Sequence, residues 1–319
     1  MAVINLSNGS RIRTFSPPPD GVAFDPLTAS AADLAIHGFP RRPEAPEQLA
    51  LFERHYTRMK GRLRCIEPTF TVRPSLRPSK SADTEFKAGG SVPFWSGAVV
   101  YAPSGQSFQW LQAVWVVPNV STAIGTSPIG STENAYVAVS WIGLGNSSLL
   151  QAGAGGSISP GGQPSFFLWH EWTPPGWVTI NNLQVNAGDL ITVLICTPSG
   201  AGSTSSNIYF MNITQGLQTS YTIFFPEGAG DPTSFLGDQA EWIVERPLVT
   251  GGLAILPNYG EVTFSSAVAG LTNGSEVYAG TTGGNNGSIN MITNGILLST
   301  GTIVSPTVVQ CYYDGIPVD

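Results

Sequence analysis

From Trp95 onward the chain is cut into eleven short runs of β-branched and aromatic residues, none longer than a dozen. They read WSGAVVYA, SFQWLQAVWVVP, NAYVAVSWIGLG, PSFFLWHEW, DLITVLICT, NIYFMNIT, LQTSYTIFF, AEWIVER, YGEVTFSSA, GSINMI and TVVQCYY. Stretches rich in Gly, Pro, Ser, Thr and Asn part them. Short apolar runs bounded by turn formers are strands, and many of them in series make a two-sheet sandwich or a jelly-roll-like fold. Charged residues make up only 11% of the chain, well below the ~25% of an ordinary globular domain. The expected fold class is therefore all-β.

The first 88 residues read differently. Residues 1–24 are Pro-rich and extended, and a helix start lies within Asp25–Pro43. PEQLALFERHYTRMKGRLR (46–64) carries an amphipathic helix with Leu49, Phe52, His55 and Tyr56 at helical spacing. Pro68 to Lys87 is Pro/Ser-rich and polar, the composition of a linker or an exposed cleavage region. This predicts a basic, partly helical segment over 1–88 and a sandwich domain over 89–319.

Charge follows the same division. Thirteen of the 14 Lys and Arg residues lie between Arg11 and Lys87, and only Arg246 follows. With nine acids before position 88 and 12 after it, the balance is +4 for the front piece and −11 for the body, giving the net −7. A basic piece attracts an acidic one, and the attraction weakens as carboxylates protonate near their ordinary pKa of about 4.

Several function classes fall away. No run approaches the roughly 18 apolar residues of a membrane helix. No P-loop, GxGxxG or basic-aromatic surface points to nucleotide or nucleic acid. Cys65, Cys196 and Cys311 are too scattered for a disulfide framework or a zinc site, and Cys196 reads as a core residue of its strand. His170 stands alone in the body, with no nucleophile elbow nearby. No cofactor or metal is expected. The N-terminus lacks the continuous apolar core of a signal peptide.

Acids, amides and tryptophans remain. In AEWIVER side chains alternate, so Trp242 and Val244 face the core while Glu241, Ile243 and Glu245 share the other face. Two carboxylates there could floor a cleft for acid–base work, or lie on a solvated strand.

Six segments in order carry a resemblance: WSGA (95–98), SWIGLG (140–145), LLQAG (149–153), WHEWTP (169–174), VNAGD (185–189) and AEWIVE (240–245). Together they are similar to the glutamic peptidases, or eqolisins, also called the A4 or G1 peptidases. The front piece, with DPLTAS and HGFPRRP, looks like the pro-segments of bacterial members. The resemblance implies a concanavalin-like sandwich of two antiparallel sheets and an acid-acting endopeptidase with a Gln/Glu dyad. Gln151 matches the glutamine and Glu245 the glutamate. Glu245 would activate the attacking water, and Gln151 would hold that water and stabilise the oxyanion. Trp95 and Trp141 match cleft tryptophans, Glu171 matches the acid of the W-x-E-W-x-P segment, and Glu241 could tune Glu245. All four are candidate substrate-binding residues. The resemblance further implies polypeptide substrates, secretion, a monomer and a front segment that inhibits its own body. The basic helix around Arg54 to Arg64 would lie over the acidic cleft until acid loosens it.

Gly145 and Phe167 stand where the resemblance leads one to expect aspartates, Thr173-Pro174 replaces Tyr-Pro, and the family's disulfides are missing. Two other readings fit such a chain. One is a lectin-like or peptide-binding sandwich that has lost catalysis. The other is a glycoside hydrolase using Glu241 and Glu245, whose backbones would lie ~13 Å apart on an extended strand.

Overall fold

The computed structural model describes residues 2–19, 24–74, 89–122, 136–146, 148–173, 176–226, 235–250, 252–284 and 286–315. The front piece forms β1 (Val3–Asn5), β2 (Arg11–Thr14), α1 (Ala31–Ile36), α2 (Pro46–Met59), β3 (Arg64–Cys65) and β4 (Phe70–Arg73). The body begins with β5 (Ser91–Val92), β6 (Trp95–Tyr101), β7 (Phe108–Val116), β8 (Tyr136–Leu144), β9 (Leu150–Ile158), β10 (Pro164–Trp172) and β11 (Trp177–Ile180). It continues with β12 (Leu190–Cys196), β13 (Ser205–Asn212), β14 (Leu217–Phe224), β15 (Gln239–Glu245), β16 (Leu248–Val249) and β17 (Gly252–Leu253). The last strands are β18 (Glu261–Leu271), β19 (Glu276–Tyr278), β20 (Gly287–Thr293), β21 (Ile296–Ser305) and β22 (Val308–Tyr313).

The long strands make two antiparallel sheets packed face to face. Sheet I runs β1–β2–β14–β13–β12–β7–β18–β22–β21–β20. Sheet II runs β4–β11–β10–β9–β8–β15–β6–β20. β20 belongs to both and joins them along one edge. The fold is the expected β-sandwich.

Alternation explains why the strands of sheet II read as continuous apolar runs. In β8, Tyr136, Ala138, Ile142 and Leu144 enter the core between the sheets, while Val137, Val139 and Trp141 pack on the outer face. A strand buried on both faces carries apolar residues at both parities. Two polar pairs cross this core. Trp115 Nε1 donates to Ser140 Oγ at 2.9 Å, and the Tyr221 hydroxyl meets His170 Nδ1 at 2.7 Å.

Three expectations about the chain are corrected here. The amphipathic helix forms as α2, but it does not lie over the acidic face. It packs on the outer face of sheet I, burying Leu51, Phe52, His55, Tyr56 and Met59 near Met211 and Ile213. The Tyr56 hydroxyl donates to Gln218 Oε1 at 2.8 Å, and the Arg62 guanidinium reaches the Ile213 and Thr214 carbonyls. Apolar burial set this docking, and Arg54 and Arg58 stay exposed. Within Pro68 to Lys87, Phe70–Arg73 is not linker but strand β4, paired with β11; residues 75–88 lie outside the described ones. Cys196 is half-buried rather than in the core, because Ile191, Val193 and Ile195 take the inward parity of β12.

Candidate active site

The outer face of sheet II gathers every candidate residue named from the sequence. Three cross-strand rows run over β10, β9, β8, β15 and β6. The first reads Glu171, Gln151, Gly143, Glu241, Val99; the second Trp169, Gly153, Trp141, Ile243, Gly97; the third Phe167, Gly155, Val139, Glu245, Trp95. Trp242 and Val244 point the other way, into the core. The parity read from AEWIVER is the parity of the folded strand. Gln151 sits within strand β9 and not in a turn.

Glycines make the rows possible. A Cβ on Gly143 would stand 2.7 Å from Trp141 Cζ3, so the indole leans over that glycine, between Gln151 and Glu241. A Cβ on Gly153 would meet the Ser140 carbonyl oxygen at 2.1 Å. The tilted indole donates from Nε1 to Glu245 Oε2 at 2.8 Å. Trp95 meets Trp141 edge-on with centroids 4.9 Å apart, and Trp169 stacks on Trp177 at 3.9 Å.

Gln151 and Glu171 are bonded directly. They stand opposite each other in the β9–β10 register, and Gln151 Nε2 donates to Glu171 Oε2 at 2.9 Å. Gln151 is 0% exposed and Glu171 1%. Burial, and then the nearby Glu245 charge, pushes the Glu171 pKa up to about 8, against the pull of the Gln151 bond. Gln151 Oε1 is buried and meets no protein donor among the described residues. A buried amide oxygen without a partner costs about 1–3 kcal/mol, and a catalytic role is one explanation for keeping it. Glu241 and Glu245 are also fully buried. Behind Glu245, the Arg246 guanidinium bonds the Ala254 carbonyl, and Ala254 and Leu253 pack on the same apolar cluster as Trp95 and Trp141.

The two expected aspartate positions have local explanations. Gly145 has φ of 88°, and a Cβ there would stand 2.8 Å from the Ser148 carbonyl oxygen, so a side chain would be strained. The Phe167 ring lies over Gly155 on the site face, where it supplies apolar wall instead of charge. Among the described residues no group of three or more His, Cys, Asp or Glu is arranged to hold a metal ion. The stacked Trp169–Trp177 pair and the Gln151–Glu171 bond were missed from the sequence. Both depend on register and on strand neighbours, which no single run of residues encodes.

Known proteins resemble this body. Residues 93–313 match the family model described as the Peptidase A4 family. Aspergillopepsin-2 of Aspergillus niger is 28% identical over 198 residues, covering 57% of this chain and 66% of that protein's length, just under two thirds. Scytalido-glutamic peptidase, solved with a transition state analog inhibitor, superposes with a TM-score of 0.54 at 19% identity, over 69% of this chain and 98% of that one. SCP-B, a member of the eqolisin family of peptidases solved with the tripeptide Ala-Ile-His, gives a TM-score of 0.50 at 18% identity over the same shares. At these identities the structural likeness speaks for the fold.

Proposed function

The chain belongs to the peptidase A4 family, and on that premise we propose that it is a glutamic-type endopeptidase that cleaves polypeptides in acid with Gln151 and Glu245. The observation that carries this reading is the buried Gln151 amide oxygen, which has no protein partner among the described residues, on the same sheet face as Glu245. An amide accepts and donates hydrogen bonds at any pH. In the proposed reaction Gln151 Oε1 and the Glu245 carboxylate hold a water molecule. Glu245 takes one proton as the water oxygen bonds to the scissile carbonyl carbon. The second N–H of Gln151 donates to the oxyanion, a contribution of roughly 2.7–4 kcal/mol. Glu245 then gives the proton to the amine nitrogen as the C–N bond breaks. The Trp141 bond to Glu245 Oε2 orients the carboxyl. Trp95 and Trp141 would wall the substrate groove, with Glu241 on the same face of β15 four residues before Glu245.

Gln151, Glu245, Trp95 and Trp141 are all 0% exposed, so this face has to be uncovered before a polypeptide reaches it. That burial supports the front piece as an intramolecular inhibitor, in a different manner from the helix expected over the cleft. The front piece enters sheet II at one edge through β4, and β5 follows it beside β20 at the opposite edge. Polypeptide substrates, secretion and a monomeric state belong to the same proposal.

Hydrolysis of an acid-denatured protein between pH 2 and 7, after acid incubation of the full chain, tests the reading. Acid-dependent cleavage that disappears in both Gln151→Ala and Glu245→Gln is expected. Folded protein that binds the substrate without cutting it would favour the peptide-binding sandwich.

A further inference from the structure

We propose that Glu171 is a positioning residue, which holds the Gln151 amide by its nitrogen end and turns the amide oxygen toward the reacting atoms. The inference rests on the Gln151/Glu245 reading and reassigns Glu171 from substrate contact to support. Glu171 lies directly opposite Gln151 across the β9–β10 pair and accepts its Nε2–H at 2.9 Å. Both side chains are buried, and the bond ties two neighbouring strands of the site face together. A glutamine amide is nearly symmetric in shape, and only its hydrogen-bond partners distinguish oxygen from nitrogen. The bond to Glu171 engages one N–H. It leaves the second N–H and Oε1, which finds no protein donor among the described residues, for water and oxyanion.

The surroundings suit this task. The Trp169–Trp177 stack packs on the same face, with Trp169 two residues before Glu171 on β10 and Trp177 on the neighbouring β11. Burial and the Glu245 charge keep the carboxyl protonated through the acid range, so Glu171 adds no negative charge where the oxyanion develops. A neutral side chain of the same length should therefore replace it, and a shorter acid should not.

The test is steady-state kinetics of Glu171→Gln and Glu171→Asp on a peptide substrate at pH 3–6, beside Gln151→Ala and Glu245→Gln. Glu171→Gln keeps length and an acceptor oxygen, and kcat should stay within about threefold. Glu171→Asp draws the acceptor back by one methylene, and kcat should fall by about tenfold to a hundredfold with little change in KM, as expected of a misplacement near 1 Å. The reverse order, with Asp active and Gln impaired, would assign Glu171 a charge contact and overturn the proposal. Changes confined to KM in both variants would return it to substrate binding. If Gln151→Ala or Glu245→Gln retains wild-type activity, the dyad reading itself fails. If both lose activity while Glu171→Asp matches wild type, the positioning role alone fails.

Discussion

Gly153 is the residue on which the site packing turns. It sits between Trp169 and Trp141 in the middle row, and its missing side chain lets β8 and β9 bring Trp141 down toward Gly143. A methyl group there would meet the Ser140 carbonyl at 2.1 Å and Trp141 Cα at 2.6 Å. These are backbone atoms in the centre of a sheet and cannot step aside singly. Gly153→Ala should cost about 1–3 kcal/mol or more by overpacking and impair catalysis by tilting Trp141 away from Glu245. Gly161→Ala serves as control, since the nearest atom to its added Cβ is 3.8 Å away. Urea unfolding checks this: equal midpoints for the two variants would contradict the packing described.

At the scale of the element, α2 answers to pH. His55 is buried under the helix, and its pKa is lowered to about 4 by burial first and by Arg54 and Arg58 second. The unfolded chain takes up this proton below the ordinary value of 6.5, while the docked helix refuses it until about 4. The stabilisation is complete above 6.5 and is lost as pH falls toward 4, by about 1.4 kcal/mol per unit. His55→Leu should remove this loss. Relative to the variant, wild type should weaken by on the order of 3 kcal/mol between pH 7 and pH 4. Chemical denaturation at the two pH values gives the difference, and parallel curves would show that α2 docking is indifferent to His55. The prediction concerns docking on sheet I, where Tyr56 and Met59 are buried beside it. The helix itself was legible, because an apolar stripe at 3.6-residue spacing is local information. Its partner was not, because charge drew attention to the acidic face while apolar area decided the docking.

For the molecule as a whole, neighbouring residues of β10 oppose each other. His170 points into the core, and burial lowers its pKa to about 3; Glu171 points to the outer face, and its pKa rises to about 8. The Glu171 contribution is fully present below the ordinary value of 4.5 and is lost as pH rises to about 8, because the native state keeps a proton that the unfolded chain has released. The His170 contribution runs the other way, lost as pH falls from 6.5 toward 3. Glu171→Gln should therefore leave stability at pH 4 unchanged and gain on wild type by about 1.4 kcal/mol per unit above pH 4.5. Melting temperatures from pH 4 to 8 measure the gain, and a constant offset would mean that Glu171 ionises as an ordinary surface acid. What the sequence by itself determined was the all-β class, the amphipathic helix, and the parity that sends Trp242 and Val244 inward and Glu241 and Glu245 outward. Each follows from residues within a few positions of one another. Only the tertiary structure decided that Glu171 meets Gln151, that Trp141 leans over Gly143 to reach Glu245, and that β2 and β4 of the basic front piece become strands of the two sheets. Strand register and docking partner are set by long-range hydrogen bonds and buried apolar area, and these exist only once distant segments have met.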